Sequence, residues 1–130
     1  MILEGARRRL AIGIGLAVTI AVGLALVVWA RSTPNHDGQR VRALLLARGE
    51  KDAEFLDPAL LREGIKNTCG DRTPAEWASE VKFGAALDVG GDLARQMVYV
   101  ASYVDVGCPD QRSALEEAAK QLGIAIPRAP

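Results

Sequence analysis

The stretch DLARQMVYVASYVDVGC, residues 92–108, decides the fold class. Leu93, Met97, Val100 and Val104 recur at steps of four, three and four, which places them on one face of an α-helix. One more step of four reaches Cys108, between Gly107 and Pro109, where a helix stops. Asp92 precedes the run as an N-cap, its carboxylate able to accept from a free first-turn N–H.

The same grammar extends to both sides. Upstream, Asp88–Gly91 is a break, and Thr73-Pro74-Ala75-Glu76 before it is a capping box with proline at the first helical position. Trp77, Val81 and Ala85 then form the apolar stripe of that helix. Asp57-Pro58 starts another, with Leu61, Ile65 and Cys69 four residues apart. Val41, Leu44 and Leu45 mark a helix over 39–48 that ends at Gly49. Downstream, Asp110 reads as the cap of a last helix over 111–122, with Leu115, Ala119 and Leu122 inward and Gly123 as terminator. Residues 124–130 contain two prolines and read as a tail against the surface or loose. No alternating strand pattern exceeds four residues, so residues 39–123 are expected to be an all-α bundle of four to five helices. With five aromatics in that region the core is small, and a covalent staple would help it.

Cys69 and Cys108 are the only cysteines and lie on the buried stripes of different helices, the arrangement an internal disulfide needs. The alternative is a pair of buried free thiols in a cytosolic domain. No metal site is expected, because two cysteines and the distant His36 fall short of four zinc ligands.

The chain has 130 residues and no net charge, yet all 32 charges lie outside Leu10–Ala30. Those 21 residues, as a helix of about 1.5 Å per residue, match the roughly 30 Å hydrocarbon core of a bilayer. Arg7, Arg8 and Arg9 abut one end; Trp29 and Arg31 close the other. The alternative, a cleaved secretory signal, has a shorter apolar region of about 7 to 15 residues and a small-residue cleavage site, where this chain has Val27, Val28 and Trp29. The expected architecture is a cytoplasmic tail at 1–9, a single-pass signal anchor at 10–30, a linker at 31–38, an extracytoplasmic domain at 39–123 and a tail at 124–130. The arginine triplet and the length of the outer segment favour a cytoplasmic N-terminus. Ala11, Gly15, Thr19 and Gly23, every fourth residue, would let a second copy pair through the membrane helix, although small residues are also common in such helices for no special reason.

Composition narrows the chemistry. His36 is the only histidine and falls in the expected linker, which leaves hydrolase triads without a base in the domain. Asp105 and Asp110 could form an acid–base pair, but surface helices carry such carboxylates routinely and a solvated face is the simpler expectation. Gly13 and Gly15 lie inside the apolar run, with no third glycine at a dinucleotide-binding spacing. Residues 31–130 hold 13 basic against 15 acidic residues without a basic stripe, so nucleic acid is not an expected partner. Nor is a cofactor expected.

The order of these features resembles the small exported domain of mycobacteria, related actinobacteria and their phages known as domain-of-unknown-function family 732. The resemblance rests on Ala43-Leu44-Leu45-Leu46-Ala47-Arg48-Gly49, on Gly64 leading into Cys69, on Thr73-Pro74-Ala75-Glu76, and on Ala101 leading into Cys108-Pro109. It covers residues 39–109. Gly107 stands where that family commonly has an aromatic residue. The resemblance implies a disulfide between Cys69 and Cys108, a compact helical bundle and export, and it implies no activity. The expected function is therefore a membrane-tethered, non-enzymatic module of the actinobacterial envelope that binds protein or lipid. The alternatives are a phage-encoded membrane protein acting in lysis or superinfection exclusion, and an accessory to a cell-wall enzyme.

Overall fold

Local signals start and stop the helices largely where they stand in the sequence. A computed structural model describes residues 35–88 and 90–130, in which the helices are α1 His36–Ala47, α2 Pro58–Thr68, α3 Pro74–Asp88, α4 Leu93–Gly107 and α5 Arg112–Leu122. Short 3-10 turns occupy Lys51–Phe55 and Pro109–Gln111. The Asp57 carboxylate accepts from the Ala59 N–H at 2.9 Å, and that of Asp92 from the Arg95 N–H at 3.0 Å. The Glu76 N–H donates to the Thr73 hydroxyl at 3.2 Å and the Thr73 N–H reaches the Glu76 carboxylate at 3.4 Å, closing the capping box. At the end of α1 the Glu50 N–H turns back to the Leu45 carbonyl at 2.9 Å, which needs the left-handed Gly49 at φ 93°.

The helices are all-α, with no strand among the described residues, and they share out the apolar surface through α4. One face of α4 (Met97, Val100, Ala101, Val104) meets Trp77 and Val81 of α3 and Leu115, Ala118 and Ala119 of α5. The other face (Val98, Tyr99, Tyr103, Val106) covers a second cluster of Val41, Leu45, Ala53 and Leu61 from α1, the first 3-10 turn and α2. Among the described residues α4 is the one helix that packs against all four others. Met97 and Leu115 are fully buried, a contribution of about 1.5–3 kcal/mol per side chain before entropy is counted.

Cys69 and Cys108 are disulfide-bonded, their Cα atoms 5.8 Å apart. They lie at the ends of the apolar stripes, and Cys108 packs on the α3–α4–α5 cluster. Each is the residue that ends its helix, half-buried, and the bond ties the last turn of α2 to the last turn of α4. The close approach depends on Gly107: a Cβ there would lie 2.2 Å from Ile65 Cγ2 and 3.0 Å from Cys69 Sγ. An aromatic residue has no room at that position.

Two further expectations change, and of the two readings of the tail the packed one holds. α1 starts at His36 and buries Gly38, so the segment read as a linker to residue 38 already belongs to the domain at His36–Gly38. Asp110 does not cap α5: it lies in the second 3-10 turn, and Gln111 occupies the cap position without capping. The tail is held, with Ile124 and Ile126 packed on the α3–α4–α5 cluster, so the compact unit runs from Asn35 to Pro130. No helix among the described residues is long and apolar enough to cross a membrane. The segment 10–30, Arg7, Arg8, Arg9, Trp29 and Arg31, and the stripe Ala11, Gly15, Thr19 and Gly23 lie outside the described residues.

The bond closes a loop over a sequence separation of 39, for which chain entropy gives about 4 kcal/mol. Cys69→Ser or Cys108→Ser is expected to destabilise the domain by about 2–5 kcal/mol in urea unfolding. The double variant should lose scarcely more than either single one, because all three lack the same bond.

Candidate functional site

Two features stand out from the bundle: a buried ionic bridge and an apolar groove. The bridge centres on Asp105 of α4, whose side chain is only 3% exposed. Its carboxylate accepts from Arg48 Nη2 at 2.6 Å and from Arg112 Nη1 at 2.8 and 3.0 Å. Arg48 also donates to the Ser102 hydroxyl at 2.9 Å and to the Arg128 carbonyl at 2.9 Å. Arg112 donates to the Glu116 carboxylate at 3.0 Å and to the Pro127 carbonyl. This overturns the reading of Asp105 as a residue on a solvated face. Its oxygens are committed to two guanidinium groups, which joins the end of α1, the second half of α4, the start of α5 and the tail in one network. Asp110 lies exposed in the neighbouring turn.

Gln111 plays a comparable part near the disulfide. Its Oε1 accepts from the Trp77 indole N–H and from the Arg72 N–H, each at 3.1 Å, and its Nε2 donates to Asp71 at 3.2 Å. Arg72 covers the Trp77 ring at 4.7 Å and donates to the Thr68 carbonyl. The loop after Cys69 is thereby fastened to the start of α5. Side chains spent in this way are a structural finish to the core.

The groove lies between α2 and α4. Leu56, Leu60 and Leu61 line one wall, and Arg95, Gln96, Tyr99 and Tyr103 the other, around a volume of about 290 Å³. That is near the small end of ligand-sized cavities. Gly64 sets its width, since a Cβ there would come within 2.5 Å of the Tyr103 ring. At one end Arg95 Nε donates to Glu50 at 3.1 Å, with Asp52 4.0 Å from Nη2. The bond and charge of Glu50 raise the Arg95 pKa above its ordinary value. Burial, and then the Glu50 charge, raise that of Tyr99, which leaves its phenol protonated and able to donate at neutral pH. Phe55, 81% exposed, and Leu60, 67% exposed, are the most uncovered large apolar side chains near the groove.

Sequence reasoning missed the groove because Tyr99 and Tyr103 fall off the stripe formed by Leu93, Met97, Val100 and Val104. The run VYVASYV, residues 98–104, is apolar on nearly every side, and that was the available signal of a helix covered on two faces. Among the described residues no group of three or more His, Cys, Asp or Glu is placed to hold a metal ion. No family model matches the chain, and no curated protein or solved structure matches it.

Asp105→Asn should cost about 3–5 kcal/mol in denaturant unfolding, because two buried guanidinium groups lose their shared counter-charge. Replacing Arg48, Asp105 and Arg112 together by apolar residues of similar volume should recover much of that loss, which separates a charge-pairing effect from a packing one.

Proposed function

We propose that this protein is a membrane-tethered extracytoplasmic module that works by binding and carries out no reaction of its own. The observation that carries this reading is the Cys69–Cys108 disulfide. Such bonds persist in oxidising compartments outside the cytoplasm, and small domains with modest cores use them there. The uncharged run at 10–30 supplies the anchor in this reading, with Arg7–Arg9 on the cytoplasmic side. The resemblance to the exported actinobacterial domain family 732 belongs to the same proposal, as does an envelope setting.

A binding role is supported by what the side chains are doing. The buried Asp105 carboxylate is neutralised by Arg48 and Arg112, and the lone histidine is exposed at the first residue of α1. By contrast, the groove offers apolar surface, a protonated phenol and an ion-paired arginine, which suit recognition of an apolar or amphipathic partner.

The full chain is expected to remain with membranes through carbonate extraction, and a reporter that is active only outside the cytoplasm should be active when fused after Pro130. Soluble protein lacking about 30 residues would mean a cleaved signal. An inactive external reporter with an active cytoplasmic one would reverse the topology.

A further inference from the structure

We propose that the end of the bundle bearing Phe55, Leu60 and the mouth of the α2–α4 groove docks onto the surface of the lipid bilayer; this rests on the tether proposed above. The first argument is where the chain enters the domain. Gly38, in the first turn of α1, lies so close to the start of α2 that a Cβ would fall 1.9 Å from the Pro58 carbonyl oxygen. The described domain begins at Asn35, three residues before Gly38, so the chain enters near Pro58, which lies within the stretch Phe55–Leu60. The disulfide lies at the other end of α2, at Cys69.

The second argument is reach. Five residues separate Ala30, the last residue of the uncharged run, from His36, the first of α1, which makes six residue steps. Fully extended, they span about 20 Å at most. A bilayer held that near is available to the domain at all times, whereas a soluble partner must first be met.

The third argument is chemical. Phe55 and Leu60 expose apolar surface that nothing in the domain covers. Leu60 shares the groove with Tyr99, protonated and half-buried, and Arg95, held by Glu50, and Phe55 precedes Leu56 of the same wall in sequence. Apolar tips backed by an amphipathic phenol and a paired guanidinium suit the interface, where one end of a group is in hydrocarbon and the other in water. Phe83, equally bare at 66% exposed, belongs to α3, which packs on α4 and α5 and not on α2. It is not part of this surface, and that makes it a control.

The test uses the full chain carrying Trp29→Phe, reconstituted into phosphatidylcholine–phosphatidylglycerol vesicles with or without brominated acyl chains. Buried Trp77 is the reference. Phe55→Trp and Leu60→Trp should each be quenched by the brominated lipid at least about twofold more than this parent, and Phe83→Trp no more than the parent. Because all three variants add the same indole, a general affinity of tryptophan for the interface does not produce that pattern. Phe55→Trp and Leu60→Trp fluorescing like the parent, in protein that floats with the vesicles, would overturn the docking and leave the tether standing. Equal quenching of Phe83→Trp would also overturn it, since the domain would then touch the bilayer without a preferred face. Protein that fails to float with the vesicles would overturn the tether and the docking together.

Discussion

The structure depends on burying α4 from two sides. A helix of 15 residues in which Met97, Val100, Ala101 and Val104 face one way and Val98, Tyr99, Tyr103 and Val106 the other has no face to give wholly to water. It needs a layer on each side. α3 with α5 forms one layer, and α1 with α2 forms the other. Each layer alone contributes few buried residues, four from α1, the 3-10 turn and α2 against six from α3 and α5, so the two halves gain their stability by sharing the same helix.

Sharing one helix leaves the edges of the layers to be fastened, and polar and covalent links do that. The disulfide joins the ends of α2 and α4, while the Asp105 carboxylate joins α1, α4 and α5 and draws in the tail through the carbonyls of Pro127 and Arg128. Gln111 links the α2–α3 loop to the start of α5. A buried ion pair adds little net stability over an apolar core, because desolvation offsets most of the attraction. It does fix geometry, since two guanidinium groups and one carboxylate fit together in few ways. The groove benefits directly: Arg95, Tyr99 and Tyr103 lie along the same helix that Asp105 and Cys108 hold in place.

The groove is what remains when a small domain spends its apolar residues on two clusters and has some left over. Gly64 lets the Tyr103 ring lie against α2, and Glu50 fixes Arg95 at the mouth. Phe55 and Leu60 stay uncovered beside it. This apolar rim close to the point of chain entry is the surface on which the proposed docking rests.

The helices are legible in the sequence, because their signals are local. Asp57, the Thr73–Glu76 box, Asp92, Gly49 and Gly123 act within a few residues of themselves, and side-chain periodicity along Trp77–Ala85 and Leu93–Val104 names the inward face. The pairing of Cys69 with Cys108 was legible too, for a chain with two cysteines on separate apolar stripes has one internal bond to make. The remaining features come from contacts between distant residues. Asp105 and Arg48 are 57 residues apart, and nothing in either neighbourhood announces that they meet. Asp110 looked like a cap because it precedes an apolar pattern, but Pro109–Gln111 forms a 3-10 turn and Gln111 is engaged by Trp77 and Arg72 across the fold. The groove was hidden for the same reason: a stripe shows which face of a helix is buried, and only packing shows that the opposite face of α4 is half-covered as well.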